Sequence, residues 1–158
     1  MRGDHSGQMP EDLKGALEEI GRECLCLHSR MTARAITRQY NSVLAPLGLE
    51  VTEFSLLGAL AVGKASSIAD LADRLAFERT TLVRNLRRMA DRGLIEPTDD
   101  KGRAVRYVLT KQGSRLLRKA LPFWAEAQTS IKRRLETGAA RTVLNSLESL
   151  RHATQQRD

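Results

Sequence analysis

Aromatic residues are scarce: one Trp, two Tyr and three Phe make up 4% of the 158 residues. With so few aromatics and many Ala, Leu and Arg, the composition leans towards helices. Cysteine is nearly absent. Cys24 and Cys26 stand alone, too close together to frame a secreted disulfide-bonded domain. No apolar run approaches the ~20 residues of a membrane span. Met1 to Pro10 has no apolar core of a secretory signal, so a cytoplasmic location is expected. There is no phosphate-binding glycine loop, no G-x-S-x-G elbow and no H-E-x-x-H, and the carboxylates are scattered over solvated helix faces. An enzyme is therefore not expected, nor any cofactor. His5, His28 and His152 are too dispersed to form a cluster with the cysteines. Only Cys24 and His28, four residues apart, have a chelating spacing, so metal is not expected.

Acidic residues are also in deficit. Asp and Glu number 19 against 26 Lys and Arg, giving a net charge of +7 and a pI near 10.0. That balance points first to nucleic acid as partner. Hydrophobic residues reach 41%, enough for a sizeable core in one domain or one two-lobed unit.

The apolar periodicity organises the chain. Leu13, Leu17, Ile20, Cys24, Leu27 and Met31 alternate spacings of three and four, a heptad seam. It predicts one helix from about 12 to 46, ~50 Å long. A seam that long faces a partner chain or a second lobe. Val51 to Val62 reads as a mostly apolar helix. Ser67-Ile-Ala-Asp70 reads as a capping box opening a short helix, and a further helix is expected from Glu78 to Arg92. Leu94–Thr98 and Arg103–Leu109 form a hairpin around Asp99-Asp-Lys-Gly102, turn chemistry that a glycine completes. Thr110 caps a helix that carries Leu117, Leu121, Trp124, Gln128, Ile131 and Leu135, and Pro122 within it predicts a kink near residues 118–122 without a break. A last helix spans Ala139 to Ala153.

This order predicts a mainly α fold with a small β-hairpin wing: a winged helix-turn-helix plus a helical dimerisation lobe. Residues 1–10 are a tail, 11–48 and 112–158 the dimerisation region, and 49–111 the winged helix-turn-helix DNA-binding domain.

Residues 24–125 resemble the MarR family of bacterial transcription regulators. The resemblance is carried by Ser67-Ile-Ala-Asp-Leu-Ala-Asp-Arg-Leu75, Arg79-Thr-Thr-Leu-Val-Arg-Asn-Leu-Arg-Arg-Met89 and Arg92-Gly-Leu-Ile95. Asp100-Lys-Gly-Arg103 and Tyr107-Val-Leu-Thr-Lys-Gln-Gly113 resemble its wing signature. It implies a homodimer acting on a palindromic operator of double-stranded DNA, most often as a repressor, released by phenolic ligands or by cysteine oxidation. Ala76 stands where a glycine often makes the turn, and Glu78 where a shorter acidic cap is common.

On the helix from 78 to 92, Leu82, Leu86 and Met89 share one face, with Val83 at its edge. Thr80, Thr81, Arg84, Arg87 and Arg88 share the other. Five arginines against one aspartate between 79 and 92 give +4, over half of the chain's excess. Arg84 is the expected base reader, because the guanidinium fork matches guanine O6 and N7. Thr80 and Thr81, near the helix start, are expected to touch bases or a phosphate, and Arg87, Arg88 and Ser67 are expected at phosphates. In the wing, Lys101, Arg103 and Arg106 extend the basic surface, with Arg103 as a minor-groove finger.

Cys26 and the following Arg34-Ala-Ile-Thr-Arg38-Gln-Tyr40 resemble the organic-hydroperoxide-sensing branch of the family, in which a tyrosine at the place of Tyr40 bonds the cysteine. Arg30 and Val51 stand where that branch has two more tyrosines. A Cys-x-Cys pair also occurs in oxidation-sensing members. Within a helix, Cys24 and Cys26 would point about 200° apart, so a disulfide between them requires local unwinding. The alternative sensor is a small-molecule pocket at Met31, Phe54 and Trp124. The competing function classes are a non-specific architectural DNA-binding protein, which shares the charge, and an enzyme.

Overall fold

The structure is a computed structural model that describes residues 10–98 and 106–155. The expected hairpin turn Asp99–Gly102, together with Lys101 and Arg103, lies outside the described residues. The chain divides into two compact units, 1–38 and 39–158. Among the described residues, no single helix is long and apolar enough to cross a membrane.

The first unit departs from the single long helix expected. α1 spans Glu11–Glu23 and α2 spans Leu25–Leu44, and the chain turns extended at Cys24 (φ −70°, ψ 104°). No proline or glycine makes the break. Side chains stabilise it by bonding the backbone groups a helix end orphans. His28 donates from Nε2 to the carbonyls of Gly21 (3.1 Å) and Arg22 (3.0 Å). The Cys24 sulfur accepts from the Leu27 amide at 3.4 Å. Every residue of α1 is exposed, including Leu13, Leu17 and Ile20.

The second unit carries the core. A 3₁₀ turn, Ala45–Leu47, ends at Gly48 with φ 63°. It leads into α3 (Val51–Val62), whose first amide bonds the Asn41 side chain at 2.7 Å. α4 (Ile68–Leu75) opens as the capping sequence predicts: Ser67 Oγ accepts from the Asp70 amide at 3.1 Å. The return half of the box differs. The Asp70 carboxylate takes bonds from the Ser66 amide (2.7 Å), the Ser66 hydroxyl (3.0 Å) and Arg74 Nε (2.6 Å). The Ser66 amide, followed by Arg74, holds this carboxyl below the usual value. α5 spans Arg79–Asp91. β1 (Ile95–Pro97) pairs antiparallel with β2 (Tyr107–Leu109), Glu96 facing Val108. These strands are shorter than the runs expected. α6 (Lys111–Arg134) passes through Pro122 without ending, and α7 spans Ala139–Gln155.

Leu44, Leu56, Leu57, Leu82, Leu86, Met89, Leu94 and Ile95 are fully buried and form one cluster with Leu49, Leu71 and Ala120. The small hairpin persists because β2 packs on α3 and α6. Its root is a close approach. Thr110 Oγ1 accepts from the Gly113 amide (3.0 Å) and donates to Gly93 O (2.7 Å), while the Thr110 amide bonds Leu94 O (3.1 Å). A Cβ on Gly113 would lie 2.0 Å from Leu94 O. At the other end of the motif, Ala76 closes α4 with φ 54°, a left-handed conformation that strains any side chain.

These two sites have opposite signs. Gly113→Ala should destabilise by about 3 kcal/mol, since the backbone it meets cannot rotate away. Ala76→Gly should stabilise by about 1 kcal/mol. Urea midpoints at unchanged m check both; a neutral Gly113→Ala would contradict the close approach.

Candidate nucleic-acid interface

α4 and α5 meet through the turn at Ala76 and Phe77, where the Phe77 amide reaches back to Ala72 O at 2.9 Å. α5 then lays Leu82, Asn85, Leu86 and Met89 into the core. Val83, expected at the edge of that face, is 47% exposed, and Asn85 is buried instead. Thr80, Arg84, Arg87 and Arg88 are exposed and Thr81 is half-buried. Of the five predicted α5 residues, the structure thus turns Thr80, Arg84 and Arg87 outward, leaves Thr81 half-buried and turns Arg88 towards a carboxylate.

The five arginines of this segment divide into two sets. Glu53 on α3 is 2% exposed, and its Oε1 accepts from Arg92 at 2.8 Å and from Arg88 at 3.3 Å. Its Oε2 takes the Glu50 amide at 3.3 Å. Arg92 also donates to Gly48 O at 2.8 Å. Arg88, predicted at a phosphate, is therefore held by a carboxylate with about half of its side chain exposed. Arg79, Arg84 and Arg87 make no ion pair among the described residues. Pattern reading missed Glu53, although it is the one charged residue in the otherwise apolar and neutral α3. A lone carboxylate in such a run requires partners once buried.

Ser67 is half-buried; capping uses an oxygen lone pair and leaves its hydroxyl proton to donate. Arg106 lies half-buried at the hairpin base, its carbonyl accepting from the Thr98 amide at 2.7 Å. Lys101 and Arg103 fall outside the described residues.

The sensing candidates separate. Cys24 is half-buried and Cys26 exposed, and the Cys26 sulfur accepts from Arg30 at 3.4 Å. The Tyr40 hydroxyl donates its one proton to Gln128 Oε1 rather than to a cysteine, and burial raises its pKa. Phe54 and Trp124 stack, ring centroids 6.5 Å apart at 17°. Met31 is exposed on α2. Among the described residues, no three His, Cys, Asp or Glu side chains are grouped to hold a metal ion.

A family model described as MarR family matches residues 47–104. No curated protein matches the chain. Among solved structures, the Mycobacterium tuberculosis transcriptional regulator MosR is 33% identical. The match covers 83% of this chain and 97% of that one, with a TM-score of 0.70. MosR in complex with DNA matches at 32% identity over 83% and 99% of the two chains, TM-score 0.69. A Mycobacterium tuberculosis MarR family protein in complex with salicylic acid matches at 25% identity over 80% and 95%, TM-score 0.62.

The role of Glu53 can be measured directly. Glu53→Gln keeps the shape and removes the charge, and should lower stability by about 2 kcal/mol. Arg84→Ala, on the exposed face, should change it by under about 0.5 kcal/mol. Equal urea midpoints for the two variants would contradict the division of the arginines.

Proposed function

This chain belongs to the MarR family of transcription regulators, and from that premise we propose that it is a homodimeric repressor of a palindromic operator, released by oxidation of Cys24 and Cys26 or by a small ligand. The observation that carries DNA binding is α5: a helix rooted in the core by Leu82, Leu86 and Met89, anchored through Arg88 and Arg92 to Glu53, and presenting Thr80, Arg84 and Arg87 to solvent. The similarity to MosR, whose structure is known in complex with DNA, supports the same use here. Arg84 reads a guanine in the major groove. Arg87 and Ser67 hold the backbone, Thr80 and Thr81 touch bases or a phosphate, and from the wing Lys101 and Arg106 follow the backbone while Arg103 enters the minor groove. Defined contacts of this kind separate the reading from an architectural protein, which would show no sequence preference.

Homodimerisation is supported by apolar side chains that lie exposed on several helices, among them Leu121 and Trp124 on α6 and Val143, Leu144 and Leu147 on α7. The redox reading is supported by the break at Cys24. The local unwinding that a Cys-x-Cys bridge requires is already part of the fold. A peroxide oxidises the exposed Cys26 thiolate to a sulfenic acid and leaves as alcohol or water. The Cys24 thiol then displaces hydroxide, which leaves as water, and the disulfide closes. The stacked Phe54 and Trp124 support the alternative of a small aromatic ligand.

On a site selected from random duplexes, Arg84→Ala should cost about 1–3 kcal/mol and relax specificity at one base pair. Arg87→Ala should instead weaken all sequences alike, Arg103→Ala should weaken operator binding, and each should lower the salt slope by about 1. Unchanged affinity for Arg84→Ala would overturn this assignment. Peroxide should abolish operator binding by the wild type, reversibly with dithiothreitol, and should spare Cys26→Ser. Equal peroxide sensitivity in both proteins would remove the redox role and leave the small ligand as the effector.

A further inference from the structure

Two oppositely charged faces stand uncovered in the first unit. α1 carries five acidic residues against Lys14 and Arg22. α2 carries Arg30, Arg34 and Arg38 and no acidic residue. On α1, Leu13, Leu17 and Ile20 form one stripe, flanked along one side by Asp12, Glu19 and Glu23. On α2, the three arginines occupy successive turns over about 12 Å. With Ala33 and Thr37 they line an open groove of about 320 Å³, and exposed Leu27 and Met31 lie beside it. Among the described residues, Arg30, Arg34 and Arg38 make no ion pair. The acids of α1 make one, Glu11 with Lys14 at 4.0 Å.

The acidic helix cannot satisfy the basic one within a single chain. Cys24 is the whole connection between α1 and α2, and an antiparallel helix pair takes a loop of about 2–5 residues. In keeping with this, α1 has no buried residue. The occupant that matches in charge, apolar spacing and availability is a second copy. We propose that α1 of one protomer docks along the Arg30–Arg34–Arg38 stripe of the other. Its Leu13, Leu17 and Ile20 cover Leu27 and Met31, and its Asp12, Glu19 and Glu23 face the arginines. A two-fold axis makes this contact twice, as an exchange of N-terminal arms. The proposal rests on the homodimer reading above.

Charge exchange between two variants tests it on the full chain. One variant carries Arg30→Glu, Arg34→Glu and Arg38→Glu; the other carries Asp12→Lys, Glu19→Lys and Glu23→Lys. Each alone should dimerise at least about tenfold more weakly at low salt, as three exposed ion pairs turned repulsive in each of the two contacts require. Circular dichroism should be that of the wild type, because all six positions are exposed. Mixed together, the two should form heterodimers beyond the random share, read by native mass spectrometry, because only the mixed pair matches acid to base on both arms. Wild-type dimerisation by both variants, or a random share on mixing, overturns the docking and leaves the homodimer intact. A wild-type protein that is monomeric at micromolar concentration overturns both.

Discussion

A single buried carboxylate positions α5 against α3. Glu53 sits in an apolar helix at 2% exposure, where an unpaired charge would be untenable. It is stabilised by Arg88 in the last turn of α5, by Arg92 just beyond it and by the backbone amide of Glu50, the residue before α3. Arg92 extends the link to Gly48 O, so the turn before α3, α3 itself and the end of α5 share one network. Such a pair adds less to stability than to uniqueness of geometry, since an apolar replacement could pack as well. The value here is directional. With Arg88 and Arg92 drawn inward, the rotation of α5 about its axis is set, and Thr80, Arg84 and Arg87 face out.

The wing depends on a second constraint, a steric one. The strand start at Leu94 passes so close to the first turn of α6 that only glycine fits at position 113. Thr110 ties the same two segments through its hydroxyl, which donates to Gly93 O, and its amide, which donates to Leu94 O. The hairpin is thereby rooted between α3 and α6, although its paired strands are only three residues long. The Thr-x-x-Gly spacing that carried the family resemblance is thus the trace of one backbone contact.

The N-terminal part is organised differently. Its apolar residues are exposed, and apart from Glu11 with Lys14 its charges are segregated by helix. The break at Cys24 is held by His28 and by the cysteine's own sulfur. A redox-active residue type therefore also serves as a helix-end cap.

Periodicity in the chain was enough for seven of the helical and hairpin segments, because amphipathic spacing and Ser or Thr caps are local properties. Ser67 and Thr110 open elements, and the turn glycines close them, near where the pattern placed them. The resemblance to the MarR family was legible for a related reason: its motifs encode caps, turns and exposed arginines at fixed spacings. The helix break was not legible, since it depends on His28 folding back over a turn and no residue at 24 forbids a helix. Nor was the sorting of arginines. From spacing alone Arg87 and Arg88 are equivalent surface cations; which one meets a carboxylate is decided by α3 lying beneath α5, across 35 residues of chain. The sequence by itself determined the elements, their order and the basic outward face. Only the tertiary structure decided which charges are neutralised inside the protein and which stay exposed, because pairing of buried groups depends on distance in space.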